Sequence, residues 1–393
     1  MLEKIGEAAF SSVGFFWKTG WAFVLGYLIS SMIQTFVSKD KMVKYMGDDS
    51  LKSVSLSALF GGISSSCSFA ALAAGKSLFK KGAHFIPTLA FLFASTNLVV
   101  ELGILIYIFL GWQFVIAEII GGILLILIMW GIVKVTYPEK LVKESRDRLD
   151  DEEKEEFNWK EKIKSKKGWY QVGMEFVMNW QMVWKEIIIG FTVAGIMKAF
   201  VPESVWKTIF LANQDNIGFW KLLENVLIAP FAAALTFIGS MGNIPIATII
   251  ASSGVTFGGI MAFIYSDLMV PPIVKVNAKY YGKKTAMYIA GVFFIAIVIT
   301  ALTLHGAFSA LGILPDSAKQ IMKENPFKIN YTFWFNMLFI GLTIVALGLN
   351  RKFKKSNSGM HMNHHHKDSV FMNIVTYASI LFVSIGFILH FVL

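Results

Sequence analysis

Stretches of about 20 apolar residues recur along this 393-residue chain, and they constrain its fold more than any other feature. A helix of that length crosses the roughly 30 Å hydrocarbon core of a bilayer. Eight such runs lie at residues 12–37, 84–110, 113–136, 182–201, 257–276, 285–304, 330–350 and 370–392. Two more, 53–79 and 222–252, are interrupted by small and helix-breaking residues. The pattern predicts an all-α polytopic membrane protein with about eight to ten membrane segments.

Charge supports the same interpretation. Only 16% of the residues are charged, against roughly a quarter in soluble domains. The net charge of +10 comes from lysines and arginines that lie mainly in short loops between apolar runs, so it indicates membrane orientation rather than nucleic-acid binding. We therefore expect a multi-pass protein of the cell membrane whose partners are the lipid bilayer and a small-molecule or ion substrate. The sequence leaves the oligomeric state open.

One long polar stretch, 138–168, divides the chain into two hydrophobic halves. We predict a first membrane repeat at 1–137, a charged cytoplasmic linker at 138–168 and a second repeat at 169–305. Residues 306–393 then form two additional C-terminal transmembrane helices, joined by a His-rich cytoplasmic loop.

The two halves resemble each other. A shift of 172 residues places Ser68 on Ser240, and it brings the two interrupted stretches into register. Hydrophobic segments that are broken at corresponding positions of two halves mark the binding site in many transporters.

Loop charges predict that the halves are inverted. The loop at 76–81 is basic and its counterpart at 252–255 is uncharged, whereas 111–112 is uncharged and its counterpart at 275–284 is basic. Because basic loops face the cytoplasm, the halves then have opposite orientations. This requires each interrupted stretch to be a re-entrant helical hairpin, so that each repeat has about three transmembrane helices and one hairpin.

Two such hairpins would bring polar groups and helix ends to the middle of the membrane. The candidate pathway residues in them are Ser64, Ser65, Ser66, Cys67, Ser68, Ser240 and Asn243. The alternative is that glycine and serine are present only because they allow close helix packing. A lone cysteine such as Cys67 is most often an inert small apolar residue.

Ionisable residues inside membrane spans are functional candidates by default. Asp267 is the strongest, and Glu101 occupies the corresponding span of the first half, close to Ser95 and Asn97. Either carboxyl could carry a proton or balance a cationic substrate, or else form a structural hydrogen bond. Glu118 is a weaker candidate, because we expect it near enough to the membrane surface to be solvated.

The loop that follows residue 360 contains a cluster of imidazoles. Its candidate metal ligands are His361, His364, His365 and His366. Such a cluster could bind Cu, Zn or Ni, although a solvated loop also tolerates histidine freely. We expect no cofactor apart from a metal in this loop.

Several segments resemble one known family in the right order. They are SSSCSFAA at 64–71, KKGA at 80–83, FASTNLVVELG at 93–103, GSMGNIP at 239–245 and GGIMAFIYSDL at 258–268. Together they are similar to the predicted-permease family that includes the organoarsenical efflux permeases. The resemblance implies a membrane permease. Arsenical-transporting members typically carry Cys-Ser-Cys-Gly, whereas here the residues are Cys67, Ser68, Phe69 and Ala70. One thiol is missing, so the chain resembles a divergent branch.

We therefore predict a secondary transporter that exports a small metal, metalloid or organic solute through a polar site between the hairpins. Two alternatives stay open: a channel-like pore, and a metal-responsive membrane protein that uses the His-rich loop. A membrane enzyme would need Asp267, Glu101 and His305 to converge, and the sequence has no P-loop, G-x-S-x-G or H-E-x-x-H motif. We expect no enzymatic activity.

Overall fold

The computed structural model describes residues 1–36, 43–64, 68–148, 163–210, 218–236, 240–315, 327–329, 331–356 and 370–392. Within these ranges the regular structure is helical and contains no strand. The helices are α1 (Leu2–Phe36), α2 (Leu51–Ser64), α3 (Ser68–Lys80), α4 (Phe85–Asn97), α5 (Val100–Phe109), α6 (Trp112–Val135), α7 (Glu139–Asp147), α8 (Lys166–Phe200), α9 (Glu203–Ile209), α10 (Phe219–Thr236), α11 (Ser240–Ser252), α12 (Phe257–Tyr265), α13 (Pro271–Tyr281), α14 (Lys283–Ala310), α15 (Tyr331–Ser356) and α16 (Val370–Val392). A short 3-10 helix, Ser266–Met269, joins α12 to α13.

The chain forms two compact units that interleave along the sequence. The first unit contains 1–38, 156–201 and 324–393, and the second contains 39–155 and 202–323. The boundaries predicted at 137, 168 and 305 stay a prediction, because compactness does not test where a sequence repeat begins.

The first unit is a bundle of four long helices, α1, α8, α15 and α16. Glycine allows close crossings in it: a Cβ on Gly173 would lie 2.7 Å from the Ala346 carbonyl oxygen. The Asn336 side chain ties α15 to α1, since its Nδ2 donates to the Trp17 carbonyl at 2.7 Å and its Oδ1 accepts from the Trp21 N–H at 3.0 Å. Small residues and interhelical amides hold helices together where water supplies no hydrophobic drive.

The second unit repeats one packing pattern. In its first part α2 and α3 pack on α4, while α4 and α5 pack on α6; in its second part α10 and α11 pack on α12, while α12 and α13 pack on α14. The parts also exchange contacts, because α3 packs on α13, α11 packs on α5, and α6 packs on α14. Adding 172 to the bounds 68–80 gives 240–252, and adding it to 85–97 gives 257–269; these are the bounds of α11 and of α12 with its 3-10 helix.

Each interrupted stretch contains two described helices, and the residues between them, 65–67 and 237–239, lie outside the described residues. The stretch at 53–79 forms α2, which ends at Ser64, and α3, which begins at Ser68. The stretch at 222–252 forms α10, which ends at Thr236, and α11, which begins at Ser240.

Two runs that we expected to be single spans are instead broken. The span predicted at 84–110 bends by 43° between α4 and α5, and the one at 257–276 bends by 40° before α13. The second bend has a clear cause, since Pro271 lacks an N–H and keeps the preceding Val270 extended, at φ −62° and ψ 141°.

Fewer described helices qualify as spans than the eight uninterrupted runs we expected to cross the membrane. Among the described residues five helices are long and apolar enough to cross a membrane, or up to seven if each bent pair counts as one span. The long helices α1 and α8 are not among them. Polar residues such as Ser30, Ser31 and Gln34 lower the hydropathy of α1.

The charged linker begins with a largely exposed helix, α7, that packs along one face. Arg146 in α7 donates to the carbonyl oxygens of Phe79 at 3.1 Å and Ala83 at 2.9 Å. The neighbouring Ser145 hydroxyl donates to the Tyr281 carbonyl at 2.7 Å. Helix α7 therefore binds the C-terminal ends of both α3 and α13, while residues 149–162 lie outside the described residues.

Close packing of α2 on α4 predicts a large effect of one methyl group. In Gly61→Ala the added Cβ would overlap the Phe91 carbonyl oxygen and lie 3.0 Å from Ala94 Cβ. We expect a loss of about 1–3 kcal/mol in the free energy of unfolding, measured in mixed detergent micelles. The control is Gly131→Ala, where nothing lies within 4 Å of the new Cβ, and its change should stay within about 1 kcal/mol. Equal stability of the two variants would contradict the packing described.

Candidate functional site

The candidate site centres on Asp267, a fully buried carboxylate in the 3-10 helix at the second bend. The Ser68 hydroxyl donates to its Oδ2 at 2.9 Å, and Asn97 Nδ2 donates to its Oδ1 at a longer 3.4 Å. The Ser240 side chain also hydrogen-bonds to the carboxylate. Each of these four residues lies where a helix begins, ends or bends, so four helix interruptions meet at one point.

The position of these residues favours a negative charge on Asp267. Ser68 is the first residue of α3 and Ser240 is the first residue of α11. Hydroxyl and amide donors to the ionised form offset part of the cost of burying the charge.

Further hydrogen bonds hold the surrounding turns in place. Asn97 Nδ2 also donates to Thr96 Oγ1 at 2.9 Å, which fixes the amide at the end of α4. The Thr236 hydroxyl donates to Asn243 Oδ1 at 2.9 Å and so joins the end of α10 to the start of α11. Asn243, a predicted pathway residue, therefore has a positioning contact in the second hairpin.

Three other predicted residues occupy different positions. Ser64 is the half-buried last residue of α2. Ser95 is buried, and its hydroxyl donates to the Leu92 carbonyl of its own helix at 3.0 Å. Glu101 is buried in the first turn of α5, directly after the first bend.

Some candidates lie outside the described residues. They are Ser65, Ser66, Cys67, His361, His364, His365 and His366. Within the described ranges, no three histidine, cysteine, aspartate or glutamate side chains are grouped as metal ligands. His305 serves the fold, since its Nδ1 accepts from the Gly258 N–H at 3.3 Å in the first turn of α12.

Helix α6 lies closer to the site than we expected. We expected Glu118 to be solvated near the membrane surface, but its side chain is buried inside the second unit. Nearby, the Tyr265 hydroxyl donates to the Ala117 carbonyl at 2.8 Å, and a Cβ on Gly121 would overlap that hydroxyl. The pair Gly121 and Gly122 was the available signal, because adjacent small residues in an apolar helix mark a close crossing.

The described site gathers several polar groups. It combines one carboxylate, two hydroxyls and a carboxamide at interrupted helices. In a membrane, such irregular backbone is tolerated only where it is buried in protein or lines a wet cavity. Such a set exchanges hydrogen bonds and charge with a polar solute.

Comparison with known proteins identifies the family of the chain. The family model described as a predicted permease matches residues 5–306. The chain belongs to the predicted-permease family. A predicted permease of Mycobacterium tuberculosis, Rv2963, is 32% identical over 331 residues, covering 81% of this chain and 80% of the relative. The UPF0718 protein MJ0584 of Methanocaldococcus jannaschii is 22% identical over 328 residues, covering 69% and 87%. No solved structure matches the permease significantly. Its family and its apolar helices make it a multi-pass membrane permease.

The hydrogen bond from Ser68 to Asp267 predicts energetic coupling between the two halves. In a double-mutant cycle of Ser68→Ala and Asp267→Asn, we expect a coupling of about 1.5–3 kcal/mol, as for hydrogen bonds to charged groups. Unfolding in mixed detergent micelles measures it. The control cycle pairs Asp267→Asn with Thr303→Ala, whose exposed hydroxyl bonds only to its own helix at the Ile299 carbonyl, and should be additive. Additivity in both cycles would contradict the contact.

Proposed function

We propose that this permease is a secondary transporter that exports a small metal, metalloid or organic solute through the polar site at Asp267. One observation carries the proposal: a fully buried carboxylate is bound by residues from both parts of the second unit, each at a helix interruption. Buried charge at such breaks is expensive, and in membrane proteins it marks a transport pathway.

We further propose that the second unit consists of two inverted repeats. The coincidence of helix bounds under a shift of 172 residues supports a repeat, and so does the exchange of contacts between its parts. The alternating loop charges support the inversion. A pseudo-two-fold axis of this kind lets two nearly equivalent conformations open the same site to opposite sides of the membrane.

In this proposal α2 with α3, and α10 with α11, are re-entrant hairpins. Helices of 13 and 14 residues reach about 20 Å, which is less than the hydrocarbon core. Helix α10 has 18 residues, but it starts with the exposed aromatic side chains of Phe219 and Trp220, which are typical of the membrane interface. The hairpin tips would then place Ser68 and Ser240 at depth.

The carboxylate would act as a built-in counter-ion. A cationic or strongly polar solute replaces hydroxyl donors around Asp267 without leaving the charge bare, whereas an anion would be repelled. The described donors are oxygen and nitrogen atoms, which suit harder ions and organic solutes better than thiophilic ones. The Cys-Ser-Cys motif is absent here, so we do not propose an arsenical as the substrate of this permease.

The test is a screen of toxicity and cellular accumulation for metals, metalloids and organic cations, in cells with and without the permease. Expression should lower accumulation of one class, and Asp267→Asn should abolish that effect at equal membrane abundance, because it removes the charge and keeps the shape. The matched control is Asp49→Asn, which changes a half-exposed aspartate in an ion pair with Lys134. It should transport like the wild type.

Two results would overturn parts of this account. Wild-type flux in Asp267→Asn would remove the carboxylate from the pathway. Flux that rises linearly with substrate concentration, without saturation, would favour a channel-like pore using the same hairpins.

A further inference from the structure

A second carboxyl group, Glu118, is buried within electrostatic range of the site and has no hydrogen-bond partner among the described residues. It lies in α6 and is 2% exposed. Neither Oε1 nor Oε2 has a hydrogen-bond partner among the described residues. Buried carboxyl groups with a structural role are normally hydrogen-bonded, because a buried carboxyl group without a hydrogen-bond partner lowers the stability of the fold.

The two carboxyl groups have opposite environments. Asp267 is buried but receives hydroxyl and amide donors, which stabilise its ionised form. Glu118 receives no donor within the described structure, and the Asp267 carboxylate lies within electrostatic range of it. An ionised Glu118 would therefore meet both burial and a like charge. Two acids whose surroundings differ in this way take different protonation states.

The ionisable groups on the helices that pack against α6 do not change this conclusion. Helix α4 contains none, and α5 contributes the buried acid Glu101. From α12 and its 3-10 helix come Tyr265, which donates to the Ala117 carbonyl, and Asp267. From α14 comes His305, which accepts from Gly258. The lysines of α14 are exposed at its start, about 30 Å along the helix from Leu304, which packs at Gly121.

We propose that Glu118 carries an exchangeable proton and that this proton is the coupling ion of the permease. In this proposal Glu118 is the neutral acid while it is buried. During the cycle its O–H bond breaks and the proton passes to water, which leaves a carboxylate; proton uptake from water on the other side restores the acid. Electrons are not exchanged, and no other reactant is needed.

The position of Glu118 gives this exchange a direction. It lies six residues after Trp112, about 9 Å along α6 from the start of the helix. The uncharged loop at 111–112 is on the external side in the topology proposed above, so protons reach Glu118 from outside. Inward proton movement would then drive outward movement of solute. This step rests on the proposed function, whereas the protonation of Glu118 does not.

Infrared spectroscopy of the full-length protein in lipid nanodiscs tests the proposal without any substrate. The wild type should show a carboxylic-acid C=O band at neutral pH that disappears reversibly as the pH is raised. Glu118→Gln should remove the band, and Glu118→Asp should shift it. The matched control is Glu224→Gln, which changes a half-buried glutamate whose Oε2 accepts from Asn225 Nδ2 at 2.7 Å; it should leave the band unchanged.

The outcomes separate this inference from the proposed function. A wild-type band that is absent at neutral pH, survives in Glu118→Gln or never titrates would overturn the role of Glu118, even if Asp267→Asn abolishes flux. A titrating Glu118 band together with normal flux in Asp267→Asn would instead overturn the role of Asp267. Folding of every variant is checked by thermal unfolding, and Glu118→Asp keeps the test decisive if Glu118→Gln fails to fold.

Discussion

A charged carboxylate inside a membrane protein has to be neutralised by the chain itself, because hydrocarbon supplies no donors. The backbone N–H groups of an uninterrupted helix are already used, so Asp267 depends on side-chain donors. Ser68 and Ser240 provide them at two helix starts, and Asn97 provides one at a helix end. The breaks and the carboxylate therefore depend on each other. Either one alone would be costly in a bilayer.

The packing of the second unit keeps those breaks in register. Gly61 and Gly62 bring α2 against the backbone of α4 at Phe91 and Leu98, and Gly121 and Gly122 accommodate side chains from both bends. Glycines in this unit therefore let helices approach closely, as the packing alternative expects, and they also position polar residues. The two interpretations of small residues in broken segments are compatible, because close approach is what brings the donors to the carboxylate.

Much of this was predictable from local sequence. Apolar runs indicate the membrane class, and a shift of 172 residues pairs Ser68 with Ser240, which do meet at Asp267. The bend after Asn97 was not predictable, since Leu98 and Val99 are apolar and nothing local forbids a helix there. Burial of Glu118 was also missed, because hydropathy gives depth along a helix but not the face that a side chain occupies. The inversion of the repeats and the metal-binding role of the His-rich loop stay predictions.

The central claim is that both halves meet at one buried carboxylate, and cross-linking in native membranes tests it directly. Cys67 is the single cysteine, so Cys67→Ala provides a background in which Ser68→Cys and Ser240→Cys are the only thiols. Two hydroxyls bound to one carboxylate lie within about 8 Å of each other. A short bifunctional thiol reagent should therefore link the two cysteines, so that the halves stay joined after proteolysis between them. The pair Ser68→Cys with Gly131→Cys should stay unlinked. Equal linking of both pairs, or of neither, would contradict the account.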